Sequence, residues 1–153
     1  VKTNRPEPPA YLFVCLLLGV GLHFVVPIVQ LVRFPYRLGG ILLLGVGIWL
    51  NIWADNLFKK AETTVKPFEE SSALIVEGPF RASRHPMYLG MALALLGVGL
   101  LLGSLVALLV ALLVPFAFIA AMEIAFIKHE ERALETTFGE EYNRYRRQVR
   151  RWL

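Results

Sequence analysis

Four long apolar runs set the rhythm of the chain. They span residues 11–32, 38–58, 87–102 and 105–127. Each of the first two is about the length a helix needs to cross a bilayer. The stretch Met87 to Ile127 holds one charged residue, Glu123, and is too long for a single crossing of about 20 residues. Gly103-Ser104 supplies a break, which predicts a helical hairpin of two spans. Polar sequence fills the rest: a lead-in up to Ala10, a turn at Arg33–Arg37, a connection over 59–86 and a tail over 128–153. In the tail, Tyr142, Tyr145, Val149 and Trp152 recur at helical spacing, with arginines on the other sides. The pattern predicts an all-α integral membrane protein forming one domain over 1–153. It has four transmembrane helices and a cytosolic amphipathic helix that lies on anionic lipid.

Composition agrees. Of 153 residues 56% are hydrophobic, too many for an ordinary soluble domain of this size. The net charge of +4 matters less than its placement. With four spans, 14 of the 16 Lys and Arg residues fall on the side of the N-terminus, the 59–86 connection and the tail. The positive-inside rule makes that side cytoplasmic. Mixed signs along 59–70 exclude a single-sign nucleic-acid patch, and no strand-flanked GxGxxG occurs. Cys15 is the single cysteine, so neither an internal disulfide nor a cysteine-rich metal site is expected. The first apolar run is long and lacks a small-residue cleavage site after it, so a cleavable leader is not expected.

The stretch Gly78–Gly90 carries the strongest chemical signal. Arg84, His85 and Tyr88 surround Pro86, a residue suited to the first turn of a helix. A helix start beside two basic side chains can hold an anionic group; a basic juxtamembrane anchor is the plain alternative. Glu130 and Glu131 follow the last apolar run. They and the basic block stand at the two ends of the predicted hairpin, whose arms return both to one surface. One small ligand could touch both. Three further groups are ambiguous. His23 reads as a packed neutral histidine more than as a ligand. Asp55 reads either as solvated interface or as the border of a polar cavity. Glu123 is an intramembrane acid near a span end, on a face similar to that of Glu130 seven residues later.

The Gly78-Pro-Phe-Arg-x-x-Arg-His-Pro-Met-Tyr-Leu-Gly90 run resembles the signature of the isoprenylcysteine carboxyl methyltransferase and phospholipid methyltransferase family of membrane enzymes. Glu130-Glu131-x-x-Leu134, Phe138-Gly139-x-Glu141-Tyr142-x-x-Tyr145 and Arg151-Trp152 follow in the same order as in that family, most like its small bacterial members. The resemblance implies methyl transfer from S-adenosyl-L-methionine to a lipophilic or lipid acceptor, in the bacterial inner membrane, with both termini cytoplasmic. It implies donor contacts from Ser72, Ala73, Leu74 and Ile75, from Phe80, from His85, Pro86, Met87 and Tyr88, and from Glu130, with Glu131 beside it. Arg84, His85 and Glu123 are the candidates for catalysis. Phe80 is a tyrosine in some relatives. Relatives that methylate prenylcysteine carry an arginine four residues before the Glu130 position; here that residue is Phe126. A prenylcysteine carboxylate is therefore not the expected preferred acceptor, and lipid amines are an alternative. Two other classes stay open: a nicotinamide-dependent membrane reductase, because some sterol reductases resemble the family, and a four-helix transporter working through Glu123.

Overall fold

The computed structural model describes residues 7–26, 32–65 and 71–152, with the side chains of 105–108 and 111 left aside. Every regular element in it is helical. α1 runs Pro8–Val25, α2 Gly39–Lys60, α3 Pro86–Leu102, α4 Leu105–Met122 and α5 Lys128–Gln148. A π-helical turn, Glu123–Ile127, joins α4 to α5 without a break, and short 3₁₀ turns occupy Tyr36–Leu38 and Gly78–Arg81. Prolines start two helices: Pro86 opens α3 where the sequence predicts a start, and Pro8 and Pro9 open α1 within the stretch expected to be an irregular lead-in. α1 opens three residues before the expected Tyr11, and Val26 is already extended. The bend expected at Pro27 lies outside the described residues.

Three helical stretches are long and apolar enough to cross a membrane: Pro8–Val25, Tyr36–Lys60 and the one beginning at Leu112. α3 has 17 residues and falls just short of them in length. α1, α2 and α4 expose large apolar side chains outward, among them Leu17, Phe24, Leu42, Ile52, Leu113 and Phe116. The hairpin forms as predicted. Gly103 closes α3, and its N–H reaches the Gly99 carbonyl at 3.2 Å.

α2 packs more extensively on α3 than any other pair of elements does. The reason is steric. A Cβ on Gly40 would stand 2.5 Å from the Gly97 carbonyl oxygen, and one on Gly97 would stand 2.7 Å from the Leu44 nitrogen. Gly47 and Gly90 meet in the same way two turns along. Without side chains the two backbones approach to direct contact, the device expected where lipid supplies no hydrophobic drive between helices.

One buried cluster joins Tyr88, Met91 and Leu95 of α3 to Phe118 and Met122 of α4 and Phe126 and Ile127 of the π turn, backed by α1. A second joins Ala54 and Phe80 to Tyr142 and Tyr145 of α5. This second cluster corrects the expectation for the tail. The Tyr142–Tyr145 stripe is buried inside the protein instead of lying on lipid, and the Tyr145 hydroxyl donates to the Phe80 carbonyl at 2.7 Å. Gly139 ends the first half of α5: at φ 49° and ψ −118° it turns the helix so that the second half can fold back. The helix ends at Gln148; Val149 still packs against this second cluster, and Trp152 packs against the first.

Candidate active site

The two chemical blocks do meet. Pro86 starts α3 with His85 as its N-cap, and the π turn carries α5 past the same level. Between them lies a cavity of about 620 Å³, well within the size range of small-molecule sites. Its walls include Ala73, Leu74 and Ile75 from the connection, Phe80, Arg84, His85, Pro86, Met87 and Tyr88 from the basic block, and Glu130 from α5. Phe58 adds an aromatic wall at the end of α2, its ring edge-on to that of Phe80 at 5.6 Å.

The ionic groups are shared, not paired one to one. The Tyr88 hydroxyl donates to Glu130 Oε1 at 2.5 Å, and His85 Nδ1 lies 3.6 Å from Glu130 Oε2. Glu131 is buried and takes several donors: Arg84 Nη1 at 3.0 Å, His85 Nε2 at 3.3 Å and Arg151 Nε at 3.0 Å, with Arg151 Nη2 on its second oxygen. Burial by itself raises the Glu131 carboxyl, but the hydrogen bonds from His85 and Arg151 and the nearby guanidinium groups outweigh it and hold it at about 2. Glu130 is pushed up from the ordinary carboxylate value. Burial is the largest cause, and the neighbouring Glu131 charge adds to it against the Tyr88 hydrogen bond and His85. Adjacent carboxyls are thus driven apart in acidity by different partners. Arg84 keeps one buried donor, Nε, without a hydrogen-bond partner among the described residues.

The structure does not bring every sequence candidate to the cavity. Ser72 is not part of the cavity wall; its N–H is held by Thr63 Oγ1 at 2.9 Å. Glu131 stands behind the wall as an ionic hub. Glu123 does not line the cavity and pairs with Arg151 at 2.7 Å. The seven-residue spacing misleads here, because it assumes an α-helix from Glu123 to Glu130. The π turn adds residues per turn, and the two acids face different partners. Asp55 also lies off the cavity, bound to Lys59 at 2.5 Å and partly exposed, and His23 is packed on Ser104 at 2.8 Å as expected. Phe126 is buried against Tyr11 and does not line this cavity. Sequence reasoning missed His129, Tyr142 and Tyr145 as cavity walls and Arg151 as an ionic partner. The tyrosine stripe was visible as a pattern, but its partner surface was not.

An all-helical, largely apolar protein with a polar cavity at one end of a helical hairpin is the class these observations define. The profile of the family described as phospholipid methyltransferase matches residues 36–141, which takes in the cavity's central elements. The chain belongs to that methyltransferase family. It is also 43% identical over 67 residues to a protein of Haemophilus influenzae described as an uncharacterized protein; the match covers 44% of this chain and the whole of that one. No solved structure matches the chain.

Proposed function

We propose that the protein is an S-adenosyl-L-methionine-dependent methyltransferase acting on a lipophilic or lipid acceptor at the cytoplasmic face of the bacterial inner membrane. The observation that carries this reading is the convergence of Arg84, His85 and Glu130 on one cavity from blocks more than 40 positions apart in the sequence. Bound there, the donor supplies an electrophilic methyl on a sulfonium sulfur. The walls fit its parts. Arg84, a guanidinium on the cavity wall, suits a carboxylate. Glu130 can accept from an ammonium or from ribose hydroxyls. Phe58, Phe80, Leu74 and Ile75 give flat and apolar surface for a purine. Methyl transfer needs donor and acceptor held in line, so positioning by these walls carries much of the rate.

α3 completes a four-span arrangement with both termini and the 59–86 connection in the cytoplasm. At 1.5 Å per residue its helix is roughly 25 Å long, short of the ~30 Å hydrocarbon core by an amount a bilayer absorbs through local thinning. In a variant with Cys15 replaced, cysteines placed at Thr63 and Ser104 check the arrangement. Thr63 stays shielded from an impermeant reagent in intact cells, and labelling there rejects it.

For the acceptor, the position of the carboxylate-binding arginine is Phe126, buried in the core with no face on the cavity. A free prenylcysteine carboxylate is accordingly not the preferred acceptor. A methyl-transfer panel of N-acetyl-farnesylcysteine, lipid amines, thiols and phenols tests this. Turnover of the prenylcysteine above all others sinks it. The donor is tested by titrating purified protein with S-adenosylhomocysteine and with NADPH. Saturable binding of the first alone is the expected result. Binding of NADPH alone moves the protein to the reductases, and binding of neither removes the enzymatic reading.

A further inference from the structure

The segment that follows α5 grips the front of the site residue by residue. The Arg150 carbonyl accepts the Arg84 N–H at 3.1 Å. The Arg151 carbonyl accepts the Ser83 hydroxyl at 3.0 Å, and Ser83 Oγ in turn accepts the His85 N–H at 3.2 Å. The Trp152 ring lies 6.3 Å from the His85 ring, centroid to centroid. Three consecutive residues, Ser83 to His85, are thus held from one side by three consecutive residues, Arg150 to Trp152.

The Arg151 side chain extends the grip to the other side of the site. Its Nε and Nη2 form a two-pronged contact with Glu131, and its Nη1 meets Glu123 Oε1 at 2.7 Å. One guanidinium therefore ties the π turn to α5. It also fixes the carboxylate against which His85 Nε2 rests, 3.3 Å from Glu131 Oε1. Arg151 itself does not line the cavity. Among the described residues, Arg151 is the side chain whose ionic contacts join the π turn to α5, while Arg84 and His85 before α3 reach the same Glu131 themselves. A guanidinium suits the task. It offers donors in a fixed planar fork, and a lysine ammonium offers a single point of attachment.

We propose that Arg151 is a positioning residue: by clamping Glu131 and Glu123 together it sets the orientation of His85 at the cavity wall, and so the affinity for the methyl donor. The donor half of this statement rests on the S-adenosyl-L-methionine reading; the His85 half does not.

The test measures both halves separately on the full chain in detergent. Histidine side-chain NMR with ¹³C-labelled histidine gives signals for the three histidines of the sequence, His85 being assigned by its loss in His85→Gln. In Arg151→Ala and Arg151→Lys the His85 signals move, and those of His23, held by Ser104 elsewhere in the fold, stay in place. Calorimetry with S-adenosylhomocysteine shows binding weakened about tenfold in both variants, the size of one lost charge-assisted hydrogen bond. Millimolar guanidinium added to Arg151→Ala restores part of the affinity, and the same concentration of ammonium does not. Unmoved His85 signals in a folded Arg151→Lys overturn the proposal whatever the affinities do. So does unchanged S-adenosylhomocysteine affinity in both variants when the parent protein binds it. If the parent protein fails to bind S-adenosylhomocysteine, the donor reading falls, and the His85 signals alone then decide whether Arg151 positions that ring.

Discussion

The α3–α4 hairpin has polar groups at both of its ends, and they are built differently. At the closed end, by Gly103, the side chains of Arg37, His23 and Ser104 are satisfied locally. Arg37 donates to the carbonyls of Val32 and Leu102, and His23 meets Ser104. The gap nearby is apolar and holds about 20 Å³, room for about one water. At the open end, Glu131 serves three side chains, Glu130 two, and the neighbouring void is some thirty times larger. Buried polar groups at the first end finish helix termini and cost little to keep. Those at the second share partners around the cavity, whose wall carries Arg84, His85 and Glu130 where a ligand can meet them. Burial alone does not separate the two, since His23 and His85 are almost equally inaccessible. What differs is the number of shared partners and the space in front of them.

The comparison is sharpest at the open end. His85→Ala and Glu130→Ala are each expected to weaken S-adenosylhomocysteine binding tenfold or more, on the order of 1.5–3 kcal/mol for a lost hydrogen bond to a charged group. Both variants should keep the parent melting temperature to within a few degrees. Calorimetry beside a melting curve checks this, and unchanged affinity in both moves the donor site elsewhere.

Next in size is the glycine contact between α2 and α3, which supports both ends. Gly97→Val forces a side chain into the Leu44 backbone and should cost roughly 1–3 kcal/mol. The readout is thermal melting in detergent. Substitution at Gly45, where a Cβ meets nothing, should change the melting temperature by no more than a degree or two.

Acid distinguishes the ends as well. The Glu131 carboxyl, held at about 2, lies below the ordinary 4.5 of a free glutamate. Its contribution to stability is therefore complete above about pH 4.5 and is lost as the pH falls toward 2. Glu130 opposes this, because its carboxyl is raised and its protonation stabilises the fold as the pH drops through its higher value. Glu131→Gln should flatten the loss of melting temperature between pH 5 and pH 3. A variant with the parent's acid profile would show that other carboxylates govern it.

The smallest effect belongs to the closed end. His23→Ala removes one hydrogen bond inside an apolar setting, where such bonds average about 0.6 kcal/mol. It should lower the melting temperature slightly and leave S-adenosylhomocysteine affinity untouched. A fall in affinity comparable to that of His85→Ala would dissolve the distinction between the two ends.

Much of this was legible in the sequence because it is written in local pattern. Apolar runs of about 20 residues, the Gly103-Ser104 break, Pro86 at a helix start and the glycines facing α2 each act within a turn or two of the chain. They specified the hairpin and a helix face thin enough for a neighbour, and the fold made α2 that neighbour. The Arg84–Tyr88 and Glu130 blocks followed from the hairpin, since an antiparallel pair returns its ends to one level. The tertiary structure decided what local pattern cannot encode. A π turn at Glu123–Ile127 rotated the frame between Glu123 and Glu130, so equal helical spacing no longer meant an equal face. The kink at Gly139 turned the second half of α5 inward, and a stripe that fits lipid as well as it fits protein found Phe80 and Ala54. Arg151, one of five arginines in the last ten residues, was chosen from its neighbours only by where the chain after Gln148 happened to lie. A charge in sequence names no partner. The partner is fixed by which distant carboxylates the packed helices bring within about 3 Å of it, and that distance exists only in the folded chain.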